Sequence, residues 1–133
     1  MSKVILLKCE EYNLDLVYEK LTWGLDQLGG IKSIIPISKK VLLKPNLVSS
    51  AESSAAVTTH PVVFEAVIKI MLENGYQINY GDSPGFGNPK KVASKAGLVK
   101  VAEKYGLTFA DFENGQKVSY PEGKICKQFD IAN

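Results

Sequence analysis

Apolar and polar positions along the 133-residue chain follow two periods in turn. "KVILLKC" (3–9) is a short continuous apolar run, which predicts a strand buried on both faces. In "NLDLVYEKLTWGLDQLGG" (13–30), Leu14, Val17, Tyr18, Leu21, Leu25 and Leu28 fall on one helical stripe. Asn13 or Asp15 suits its cap, and Gly29-Gly30 ends it. "KKVLLKPN" (39–46) reads as a second buried strand, stopped by Pro45, which cannot donate to a ladder. "PVVFEAVIKIMLENG" (61–75) predicts a helix with Pro61 in its first turn, Val63, Ala66, Val67, Ile70 and Met71 on its buried stripe, and Gly75 just past its end. "YQINYGD" (76–82) sets Tyr76, Ile78 and Tyr80 against Gln77 and Asn79, the alternation of a third strand. "PKKVASKAGLVKVAEKYG" (89–106) is helical with a break at Gly97, and "LTFADFE" (107–113) is a fourth strand.

This alternation predicts an α/β fold, a mainly parallel sheet flanked by helices, as one domain over 1–133. In the tail, "QKVSYPEGKICKQFDI", a Pro-Glu-Gly turn between two β-like runs predicts a C-terminal hairpin. Ile125 and Phe129 flank Lys127 there with no later element to cover them. An exposed apolar patch or open strand edge is therefore expected near 118–131, with self-association through it.

Composition narrows the function classes. Hydrophobic residues make up 45% and charged residues 23%, enough apolar surface for a core. A net charge of +2 with scattered lysines argues against nucleic acid as a partner. No apolar stretch reaches the ~20 residues of a membrane span, so no membrane partner is expected. Cys9 and Cys126 match no metal spacing and read as reduced thiols of a cytoplasmic protein.

Three unusual segments fall at the carboxyl ends of predicted strands or the entry of a helix, where open parallel sheets bind ligands. The first is Lys44-Pro45-Asn46. Lys44 reads either as a solvated strand-end lysine or as a cation aimed at an anionic ligand, with Asn46 offering a donor and an acceptor. The second is Thr58-Thr59-His60-Pro61. The two threonines suit N-caps, and the same helix start favours phosphate or carboxylate. His60, the sole histidine, is a surface residue or a neutral hydrogen-bonding group whose protonation the helix start disfavours. The third is "GDSPGFG" (81–87). Asp82 and Ser83 form an Asx turn, or Asp82 holds a metal or orients a lysine. Gly85 and Gly87 leave room for a ligand to reach the main chain. The loop meets neither the Walker pattern nor GxGxxG followed by a helix.

"VLLKPNLV", "VTTHPVVFEAVIKIMLENGYQINYGDSPG" and "AGLVKVAEKYGLTFADFE" together resemble the family catalogued as domain of unknown function 362, from about residue 40 to residue 113. The resemblance implies an α/β fold and often an association with paired four-iron, four-sulfur ferredoxin motifs. It carries the motifs onto Lys44 and Asn46, Thr59 and His60, and Asp82 and Ser83. The chain departs from longer members in having no CxxCxxCxxxC run, so no cofactor is expected in this polypeptide. In the family, the segment like "KQFDIAN" leads into a further strand and a lysine- and histidine-bearing motif. The resemblance thus implies the N-terminal part of a longer protein, with any 4Fe-4S clusters held elsewhere in it.

Two functions compete, with a purely structural domain as a third. One is a domain holding a small anionic substrate in an iron–sulfur-associated redox or accessory enzyme, with Lys44, His60 and Asp82 as catalytic candidates. In that reading Asn46, Thr58, Thr59, Ser83, Gly85 and Gly87 bind the ligand, and none holds a metal. The other is a phosphate- or carboxylate-binding module without catalysis.

Overall fold

The computed structural model describes residues 2–36 and 40–132. Two helices, α1 (Leu14–Gln27) and α2 (Ile31–Ile34), precede strand β1 (Val41–Leu43). Helix α3 (Pro61–Glu73) leads to β2 (Ile78–Tyr80), and helices α4 (Pro89–Lys95) and α5 (Leu98–Lys104) lead to β3 (Thr108–Phe109). The three strands form a parallel sheet in the order β1-β2-β3. A separate antiparallel hairpin, β4 (Gly115–Ser119) with β5 (Gln128–Ala132), follows. The α/β class and the C-terminal hairpin are as the sequence predicts.

Local signals act where expected. Asn13 caps α1, its side chain accepting from Leu16 N–H at 3.1 Å. Gly97 lies between α4 and α5 at φ +82°, a left-handed conformation that breaks the predicted long helix in two. Helix α2 was not anticipated. Strands are shorter than predicted, and Lys39 of the predicted 39–46 run lies outside the described residues.

The sheet is covered on one face. Ile78 and Tyr80 of the central strand are buried, Ile78 with Met71 of α3 and Ile31, Tyr80 with Phe64 and Ile68 of α3 and Leu98 of α5. Phe64 and Ile68 lie off the predicted stripe of α3, because that helix is packed between α1, α5 and the sheet and is buried on more than one side. In register on the other face stand Leu42, Asn79 and Thr108, all exposed, with Gln77 exposed as well. The polar alternation read from "YQINYGD" therefore marks an open sheet face.

The predicted first strand, 3–9, is not a strand. Ile5 and Leu7 rest on α1, where a Cβ added at Gly24 would meet the Leu7 side chain at 3.2 Å. Lys3 Nζ donates to the carbonyl of Gln27. Leu6, 96% exposed, and Val4, 85% exposed, have no covering layer. A helix occupies one side of the run and, among the described residues, nothing covers the other, so an apolar sequence alone could not make it a buried strand.

The hairpin carries the exposed apolar surface expected near 118–131. Val118 stands opposite Phe129, Tyr120 packs beside Phe129, and Ile131 follows on the same face. All four are exposed.

Candidate functional site

Parallel pairing of β1 with β2 brings the two strand ends side by side: Leu43 pairs with Tyr80, and Gly81 N–H donates to the Leu43 carbonyl at 3.1 Å. Lys44 and Asp82 therefore leave the sheet on one edge. Lys44 Nζ lies 3.0 Å from Asp82 Oδ1 and donates to Asn46 Oδ1 at 3.0 Å. Asp82 is the buried member of the pair, 5% exposed. Its Oδ2 accepts from Leu47 N–H at 2.8 Å, and its Oδ1 accepts from Ser83 N–H at 2.9 Å.

Asp82 thus joins the two loops. Burial pushes its carboxyl upward, but the Leu47 N–H, the Lys44 ammonium and the Ser83 N–H outweigh that, and it titrates below an ordinary aspartate. Of the roles read from sequence, the geometry matches a carboxylate that orients a lysine.

The small residues of "GDSPGFG" have separate causes. A Cβ at Gly81 would come within 2.8 Å of the Phe112 ring and 3.3 Å of the Ala110 carbonyl, so close packing excludes a side chain there. Gly87 sits at φ +89° and turns the chain before α4. A Cβ added at Gly85 would meet, among the described residues, only the Val48 carbonyl at 3.9 Å, and Gly85 lines a cavity.

That cavity, of about 560 Å³, lies between the two loops. Lys44, Asn46, Asp82 and Gly85 line it, together with Leu47, Val48, Ser49 and Phe86. The last four were missed by the sequence reading. Phe86, an aromatic side chain between two glycines, was the available signal for one of them.

The threonine–histidine segment is placed differently. His60, rather than Thr58 or Thr59, is the N-cap of α3: its Nδ1 accepts from Val62 N–H at 3.3 Å, and Pro61 begins the helix. The imidazole also stacks on Tyr12, with ring centroids 3.6 Å apart and planes 11° apart. Burial holds its pKa below the usual histidine value. Thr58 Oγ1 is buried and has no hydrogen-bond partner among the described residues. None of Thr58, Thr59, His60, Ser83 and Gly87 lines the Lys44 cavity.

Among the described residues no three His, Cys, Asp or Glu side chains converge to hold a metal ion. Both cysteines are free and exposed. Two thiols cannot replace the four thiolates of an iron–sulfur cluster, so the residues present do not fit one.

The family described as "Domain of unknown function (DUF362)" matches residues 41–133. The chain belongs to that family. The match reaches beyond residue 113, where the resemblance read from motifs stopped, and takes in the hairpin. A curated relative, "Thylakoid-associated protein sll1697" of Synechocystis sp. (strain ATCC 27184 / PCC 6803 / Kazusa), is 29% identical over 116 residues. That alignment covers 87% of this chain and 36% of the relative, so the chain spans about a third of the relative's length. No solved structure matches the chain. Among the described residues no helix is long and apolar enough to cross a membrane.

Proposed function

We propose that this DUF362 chain is a ligand-binding α/β domain that takes a small anion between the Lys44–Ser49 and Asp82–Phe86 loops. The observation that carries the reading is the Lys44 ammonium, held at 3.0 Å by both Asp82 and Asn46 at the edge of a cavity. An ammonium has three donors, and two are engaged. The third is available to a ligand carboxylate or phosphate oxygen. Asn46 and Ser49 supply further hydrogen bonds on the same wall.

Binding without catalysis by these residues is the better supported form. Both Asp82 oxygens hold backbone N–H groups of the two loops, and His60 Nδ1 caps α3 away from the cavity, so the contacts of both residues are structural ones. Asp82 and Ser83 act as positioning residues, and Lys44 as the ionic contact. The roles expected of Thr58, Thr59, Ser83 and Gly87 as ligand contacts, and of His60 as a catalytic residue, lack support in the placement of those residues.

The second reading, a substrate-binding domain of an iron–sulfur-associated redox or accessory enzyme, rests on the family resemblance. Any cluster would be held by cysteines outside this sequence. The cytoplasm is proposed as its location from the two free thiols. The Synechocystis relative is named as thylakoid-associated, and cell fractionation distinguishes the two locations. Nucleic acid is not proposed as a partner.

The test is amide chemical-shift perturbation with acetate and phosphate in the wild type and in Lys44→Gln. Shifts centred on residues 44–49 and 82–86 that vanish in the variant support the reading. Shifts that persist in Lys44→Gln, or none at these loops, defeat it.

A further inference from the structure

We infer that the ligand of this cavity is a monocarboxylate with a flat apolar body, and that phosphorylated or otherwise polyanionic compounds are poor ligands. The inference rests on the binding reading above and names its ligand class.

Charge comes first. Among the described residues Lys44 and Asp82 are the only charged ones lining the cavity, and their formal charges cancel. A di- or trivalent anion would gain one ammonium donor while sharing the site with a buried carboxylate 3.0 Å from that ammonium. Two like charges in one site repel, and Asp82, buried at the ends of the strands, is the less screened member of the pair. A single negative charge suffers least from Asp82 and still uses the free ammonium donor.

The donors suit a carboxylate. Lys44 can only donate, so its bond to Asn46 assigns the carbonyl end of that amide to Lys44. The Asn46 Nδ2 donors make no hydrogen bond among the described residues. One ammonium N–H on Lys44 and one amide N–H on Asn46, two residues apart just past β1, suit the two oxygens of one carboxylate.

The apolar part of the wall indicates the rest of the ligand. Phe86 is 83% exposed and Val48 is 53% exposed, and both line this cavity. Scattered exposed apolar residues need no explanation, but here two of them flank the paired cation. A planar apolar group packed on Phe86 would cover surface that the chain leaves open.

The experiment is a titration of the full chain with benzoate, acetate and pyrophosphate, followed by amide shifts of residues 44–49 and 82–86. It is repeated in Phe86→Ala and Lys44→Gln, whose folding is checked by spectral dispersion. Benzoate is expected to bind about tenfold or more tighter than acetate, a ratio equivalent to ~1.4 kcal/mol. Phe86→Ala should bring benzoate down to the acetate level, and Lys44→Gln should abolish both. Pyrophosphate binding tighter than benzoate, in a Lys44-dependent way, overturns the ligand class and leaves anion binding standing. Benzoate affinity unchanged in Phe86→Ala likewise overturns the class. No Lys44-dependent shift with any of the three overturns the binding reading and this inference with it.

Discussion

The Lys44 ammonium and the Asp82 carboxylate meet at 3.0 Å across the ends of adjacent parallel strands, with the lysine side chain 57% exposed and the aspartate side chain 8% exposed. The asymmetry sets their roles. The aspartate is fixed by two backbone N–H groups as well as by the lysine, so it organises the loops. The lysine keeps one side toward solvent and is the member a ligand can reach.

Asp82→Asn should cost about 1–3 kcal/mol, because an amide nitrogen would face a backbone N–H that the carboxylate now satisfies. Lys44→Met should cost less, since Lys44 is exposed and the two backbone donors still hold Asp82. Urea midpoints of the two variants check the order. A larger loss in Lys44→Met would show that the ion pair, rather than the backbone bonds, holds the loops.

Asp82 also sets an acid limit. Its folded pKa lies below its ordinary value of 3.8, so its contribution is present above that value and lost as pH falls through the folded pKa. Glu65, braced by Lys104 at 2.6 Å and Tyr105 at 2.9 Å, is also depressed, so the whole-protein acid transition is composite. The difference in stability between wild type and Asp82→Asn isolates the aspartate. That difference should shrink as pH drops below about 3.8; a difference flat with pH would contradict it.

His60 acts in a separate window. Its folded pKa is below the ordinary 6.5, so the fold favours the neutral ring. Stability is full above 6.5 and falls as pH drops from 6.5 through the folded value. Protonation at Nδ1 would remove the cap on Val62 N–H. Asn caps helices well and does not titrate, so His60→Asn should abolish the pH dependence in this window while losing the Tyr12 stack. Thermal melts of both proteins at pH 5 and pH 8 check this, and an equal pH dependence in the variant would refute it.

Gly81→Ala should destabilise by ~1–3 kcal/mol through overpacking against Phe112. Trimming the ring in a Gly81→Ala, Phe112→Leu double variant should recover part of the loss relative to the sum of the single changes. Strict additivity in denaturant melts would place the strain elsewhere, at the Ala110 carbonyl.

The apolar face of the hairpin, Val118, Tyr120, Phe129 and Ile131, should drive self-association. Light scattering across a concentration series is expected to show a rising mass that Phe129→Lys suppresses. A constant monomer mass at high concentration would sink this expectation.

The sequence carried the succession of α1, β1, α3, β2, the broken α4–α5 and β3, a cap at Asn13 or Asp15, the hairpin and the apolar–polar alternation of β2, but not α2 and not the failure of 3–9 as a strand. These follow from neighbouring residues: side-chain spacing, a capping amide and a left-handed glycine act within one or two turns of chain. It also marked Lys44 and Asp82 as strand-end residues, since a strand and its stop signal are local. What Asp82 does depends on the folded chain, because its partners Leu47 and Lys44 come from the loop 35 and 38 positions earlier, brought beside it by parallel pairing. The same holds for Gly81, whose missing side chain is explained by Phe112, and for His60, whose ring is held by Tyr12. The run 3–9 shows the limit most plainly. Its apolar residues are those of a buried strand, but a strand needs a hydrogen-bonding neighbour and a second covering layer, and neither is encoded within the seven residues themselves.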